Sequence, residues 1–144
     1  MADPSIDYIF GSTNYMDGSG KFLFTNEAKQ LTYNALTRKN PGIYQPGSFF
    51  KLSFTKKIGG LAAYRCCFDY EYVLRCLTNG AVFYCCKFPV ASFRYYTDSK
   101  TGMMMPVFIR EQLQISKQYG RRSYDFLTWF SYLRLFKRRL LGTK

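Results

Sequence analysis

The sequence predicts an α+β fold: an antiparallel β-meander of four to five strands, with a C-terminal amphipathic helix packed on one face and a short N-terminal helix. Three observations predict it. Apolar and mostly polar residues alternate strictly from Tyr64 to Cys76, with Asn79-Gly80 directly behind. Further alternating stretches are bounded by glycine and proline turns. An apolar stripe recurs at helical spacing between Ser123 and Leu141.

In chain order, residues 1–20 are rich in Gly, Ser, Asn and Asp and read as an irregular arm, which leaves residues 21–144 as a single α+β domain. Within the arm, Asp17-Gly18-Ser19-Gly20-Lys21 falls short of a phosphate-binding loop, which needs glycine where Tyr15 stands and Ser or Thr where Phe22 stands; it reads as a flexible turn. Lys21 to Phe24 is a short strand. Thr25 or Asn26 then caps a helix carrying Ala28, Leu31 and Ala35 that stops before Asn40-Pro41-Gly42. Gln45-Pro46-Gly47 is a second turn, because proline presets the first turn position and glycine accepts positive φ at the next.

Phe50, Leu52 and Phe54 alternate with Lys51, Ser53 and Thr55, a strand joined through a glycine bulge at Gly59-Gly60 to the long one. In the long strand the odd positions Arg65, Asp69, Glu71 and Arg75 form an ion-paired surface row, and the even positions from Tyr64 to Cys76 face the core. Asn79-Gly80 predicts a two-residue hairpin loop that sets Cys76 opposite Phe83 and Leu74 opposite Cys85. Ser92 to Tyr96 and Met103 to Ile109 flank Thr97–Gly102 as a third hairpin, with the methionine run packed in the core. The last helix, 123–141, has Ser123 as N-cap, Asp125 in its first turn, basic residues near its end and Gly142 just beyond. Its stripe of Phe126, Trp129, Phe130, Leu133, Phe136 and Leu140 would dock on the sheet. Leu127, Tyr132 and Leu135 fall outside that stripe, which points to a second covered surface.

The chain of 144 residues carries 21 Lys and Arg against 9 Asp and Glu, a net charge of +12. The excess is uneven: 8 cations face 6 acids in residues 1–72, and 13 face 3 in residues 73–144. Such a balance selects polyanionic partners and says nothing about topology. The expected phosphate contacts are Lys117, Arg121, Arg122, Arg134, Lys137, Arg138 and Arg139, with Tyr119 and Tyr124 placed to stack on bases.

With no histidine, the Ser-His-Asp and Cys-His nucleophiles and imidazole metal sites are excluded, so no catalytic residue, metal or cofactor is assigned and an enzyme is not expected. Five cysteines, Cys66-Cys67, Cys76 and Cys85-Cys86, lack zinc-knuckle spacing and read as reduced, buried thiols. They favour a reducing compartment, cytoplasm, nucleus or a virion assembled there. The acidic N-terminus is unlike a presequence, and no apolar run is long enough to span a bilayer. These features point to a non-catalytic, basic nucleic-acid-binding protein of a viral or ribonucleoprotein assembly, binding RNA or DNA through phosphates and acting as a homo-oligomer or within a larger assembly. The alternatives are a self-associating structural subunit, capsid-like or scaffold, and a peripheral protein on an anionic membrane surface. No small-molecule substrate is expected.

Overall fold

In the computed structural model the chain is described over residues 3–39, 45–94 and 104–121, together with Leu133. The α+β class holds: a four-stranded sheet is combined with helices. Its central strand is β1 (Tyr8–Met16), which lies within the stretch expected to be an irregular arm. Tyr8, Ile9, Phe10, Thr13 and Tyr15 are the aromatic and β-branched types that suit a pleated surface. The polar residues between them disguise the strand, and each finds a partner: Ser12 Oγ accepts the Ala28 N–H at 3.0 Å, and Asn14 Oδ1 accepts the Thr25 hydroxyl at 2.8 Å.

β2 (Phe22–Asn26) returns antiparallel along the C-terminal half of β1, and β3 (Ser48–Phe50) lies antiparallel along its N-terminal half. The β1–β2 turn is held by Asp17, whose Oδ1 accepts the Ser19 hydroxyl at 2.6 Å and the backbone N–H groups of Ser19 and Lys21, each at 2.9 Å. On the other edge β4 (Phe83–Arg94) runs parallel to β1 over its whole length, from Tyr8 opposite Phe83 to Met16 opposite Arg94. The sheet is therefore mixed, and the expected meander is replaced by a parallel pair whose crossover contains β2, β3 and two helices. Two register shifts beside Ser12 absorb Lys87, Phe88 and Val90 in β4. Pro89 is tolerated there because β4 pairs with β1 on one side.

The largest correction concerns the stretch expected as a long strand. Residues Phe68–Thr78 form a helix, α2, and bury Tyr70, Glu71, Tyr72, Val73, Leu74 and Cys76. A helix covered on nearly every side loses its amphipathic stripe, so the even-odd pattern is an accident of which side chains happen to be charged. Asn79-Gly80 ends this helix and makes no hairpin. Asn79 has φ −97°, outside the positive region a type I′ turn needs, while Gly80 has φ 75°. The Ala81 N–H bonds to the Cys76 carbonyl and the Gly80 N–H to the Leu77 carbonyl, a Schellman closure.

Of the stretch Met103 to Ile109, expected as a strand, Met103 lies outside the described residues, and Met105 to Ile109 open a helix, α3 (Met105–Gln118), with Pro106 in its first turn. It ends the same way, with Gly120 at φ 84° and the Arg121 N–H on the Ser116 carbonyl. Leu52 and Phe54 lie on a short helix, α1 (Leu52–Ile58), following the three-residue β3, and Gly59 at φ 88° closes it without a strand bulge. Strand β2 runs through Thr25 and Asn26, so neither caps the early helix. That helix is a short turn of π type over Ala35–Lys39, and Thr32 Oγ1 accepts the Ala35 N–H at 3.2 Å. Of the stretches expected at 81–86 and 92–96, the residues from Phe83 to Arg94 belong to the single strand β4, Ala81 and Val82 lie before it, and Tyr95 and Tyr96 lie outside the described residues. The C-terminal helix over 123–141 lies outside the described residues except for Leu133, which is helical and exposed.

The core lies on one face of the sheet. Tyr8 and Phe10 meet Phe83 and Cys85, and α2, Leu31, Leu36 and Ile115 close over them. The Tyr8 ring stacks on Phe83 at 4.9 Å, and Phe50 bridges to Tyr72 at 5.1 Å. On the opposite face Val90 lies across two glycines. A Cβ on Gly11 would stand 2.7 Å from both Val90 methyls and 3.1 Å from the Cys86 Cβ, and one on Gly47 would stand 2.7 Å from Val90 Cγ2.

Gly11→Ala is expected to cost about 1–3 kcal/mol through overpacking. Adding Val90→Ala should restore part of that stability. Denaturant unfolding of the single and double variants measures both, and equal stability of Gly11→Ala and the parent contradicts the close approach.

Candidate nucleic-acid interface

The face of the sheet turned away from the core carries two aromatic rows set by strand register. At one end Ile9 is flanked by Phe49 of β3 and Tyr84 of β4; at the other Tyr15 is flanked by Phe24 of β2 and Phe93 of β4. Phe49 is 58% exposed, Tyr84 51% and Phe24 54%. In the second row the Tyr15 ring stacks on Phe24 at 4.7 Å and 9°, and lies 5.3 Å from Phe93. The rows stand six residue steps apart along β1, about 20 Å at strand rise. Between them Val90 packs over Gly11 and Gly47, which are buried beneath it. Sequence reasoning missed these rings because their common face appears only once 8–16 is read as a strand; the signal was Ile9, Thr13 and Tyr15 at a two-residue period.

Cations lie at the ends and edge of the sheet, with Arg94 opposite Met16, while carboxylates are drawn elsewhere. Lys21 and Arg94 are exposed at the Phe24 end, where a Cβ on Gly20 would stand 3.8 Å from Arg94 Nη2, and Lys87 is exposed in the β4 bulge. Asp17 is committed to its turn, and the Ser19 hydroxyl and Lys21 amide hold its carboxyl below the usual range. Glu111 of α3 accepts the N–H groups of Arg65 at 2.8 Å, Cys66 at 2.8 Å and Cys67 at 3.0 Å, which ties α3 to the start of α2. Glu71 is 7% exposed and lies 3.0 Å from Arg75 Nη2; its Oε1 accepts the Tyr119 hydroxyl at 2.9 Å. Arg75 also donates to the carbonyls of Ile58, Gly59 and Gly60. The expected surface row of Arg65, Asp69, Glu71 and Arg75 is thus an internal brace around α2, with Arg65 exposed and Asp69 partly buried. Burial raises the Asp69 carboxyl above its ordinary range.

Of the residues expected to contact phosphates or bases, Lys117, Tyr119 and Arg121 are described. Tyr119 is joined to the fold at both ends, its hydroxyl on Glu71 and its carbonyl accepting the Tyr33 hydroxyl. Lys117 and Arg121 are half-buried at the end of α3, and the Arg121 guanidinium partly offsets the burial that raises the Tyr70 phenol. Arg122, Tyr124, Arg134, Lys137, Arg138 and Arg139 lie outside the described residues.

All five cysteines are free, with Cys67, Cys76 and Cys86 buried. Burial pushes the Cys67 thiol up to about 12 and the Cys76 thiol up to about 11, so both are poor nucleophiles near neutrality. Among the described residues no group of three His, Cys, Asp or Glu is placed to hold a metal ion, and no helix is long and apolar enough to cross a membrane. No protein-family model matches this sequence, and neither does any curated protein.

The buried acids of weak acidity make stability fall in alkali. In the unfolded chain these thiols ionise near 9 and Tyr8 near 10, whereas in the fold Cys76 holds its proton to about 11 and Cys67 and Tyr8 hold theirs to about 12. Stability from these groups is complete below pH 9 and is lost as pH rises through 11 to 12. Urea midpoints at pH 8 and above pH 10 are expected to fall with rising pH, and a constant midpoint contradicts the burial.

Proposed function

We propose that the protein is a non-catalytic, basic nucleic-acid-binding component of a viral or ribonucleoprotein assembly, working in a reducing compartment. The observation that carries this reading is the sorting of charge. Among the described residues nine Lys and Arg are exposed, whereas the exposed acids are Asp3 and Glu27. Most other described carboxylates serve backbone donors or buried partners, as Asp17, Glu71 and Glu111 do. An exterior so sorted attracts phosphates and releases their counterions. The further cations of the C-terminal sequence, Arg122, Arg134, Lys137, Arg138 and Arg139, add to the same field.

A self-associating structural subunit is the second reading, favoured by the exposed Phe24, Phe49 and Tyr84 rings. Sedimentation of nucleic-acid-free protein separates the two, since a persistent monomer contradicts self-assembly.

Affinity for RNA or DNA is expected to fall linearly with salt on logarithmic axes. Replacing Arg121, Arg122, Lys137, Arg138 and Arg139 together by alanine should flatten that line by roughly 0.7–0.9 for each phosphate no longer neutralised. A slope unchanged in the variant removes these residues from the interface.

A further inference from the structure

We infer that the outer face of the sheet is a stacking platform for single-stranded nucleic acid, with bases lying on Phe24 at one end and on Phe49 and Tyr84 at the other. This rests on the nucleic-acid reading above and specifies its substrate as unpaired strands. Bases in a duplex hide their faces in the stack, so flat exposed rings gain energy only from unpaired bases. The rings are open to solvent: Phe24, Phe49 and Tyr84 are each more than half exposed, and the Phe24 ring stacks on Tyr15, which Phe93 braces from its other side.

Charge selects this occupant over a second copy of the protein. The four strands hold Lys87 and Arg94 and no carboxylate, and Lys21 adjoins β2. Asp7 and Asp17, which adjoin β1, are engaged by the Val82 N–H and by the turn donors. Two copies placed face to face would bring one cationic, acid-free sheet against another without compensation, while a phosphate backbone running along the rows would lie in its favourable field.

The test is fluorescence anisotropy with a labelled oligothymidylate of about twelve nucleotides, a length within single-strand site sizes, and with a duplex of the same length. The single strand is expected to bind about tenfold more tightly than the duplex. Phe24→Ala and Tyr84→Ala should each weaken it about tenfold, the effect of removing one stacked base, while leaving the salt slope unchanged. Tyr84→Phe should retain binding, and unchanged circular dichroism melts show that the variants fold. If single strand and duplex bind equally and neither alanine variant matters, the platform is overturned while charge-driven binding stands. If neither probe binds at low salt, the nucleic-acid reading itself fails. A dimer in sedimentation that Tyr84→Ala abolishes assigns the face to a second copy and also overturns the platform.

Discussion

Every strand pairing in the described sheet is a pairing with β1, and the parallel alignment with β4 is the longest of them. That alignment decides the rest. It fixes which residues of β1 meet α2 and which face outward, because a shift of one residue would exchange the two sets. With Tyr8 beside Phe83 and Phe10 beside Cys85, one parity seals the core. The other parity sets Ile9 beside Tyr84 and Tyr15 beside Phe93, the rows proposed to receive bases. A parallel pair needs a long crossover, and the chain uses it to lay down β2, β3 and two helices before returning.

Scarcity of acids gives the exterior its sign. Glu111 commits its carboxylate to three consecutive backbone N–H groups, the otherwise orphaned donors ahead of α2. Glu71 commits its own to Arg75 and Tyr119 and so braces α2 against the end of α3 and the loop after α1. The acids that fasten the helices lie off the sheet, and the four strands beside Lys21, Lys87 and Arg94 hold no carboxylate. Folding and charge display are two consequences of one allocation.

Class and sheet size are legible in the sequence; pairing and the identity of several elements are not. β2 is legible because Phe22, Leu23 and Phe24 form a short apolar run directly after a glycine turn; Gln45-Pro46-Gly47 does break the chain, but as one 3-10 turn in which Gly47 is buried and lacks the positive φ expected of it. β1 is hidden because Ser12 and Asn14 look like loop residues, and only their distant partners Ala28 and Thr25 make them strand residues. α2 is hidden because burial on most sides erases period 3.6, and the even-odd pattern fills the gap. Two local cues favour the helix: acids first and Arg75 last, with Glu71 and Arg75 four apart. Asn79-Gly80 fits a hairpin and a helix end equally, since both need a glycine at positive φ. The cationic character can be read from composition, but the aromatic rows cannot, since they are assembled from four strands.

Amide hydrogen exchange over Tyr8–Met16 reports directly on whether β1 organises the fold. The central amides of this strand are expected to exchange among the slowest in the protein, by global unfolding alone. Exchange there at the rate of an unstructured peptide, while α2 remains protected, would contradict a fold built around β1.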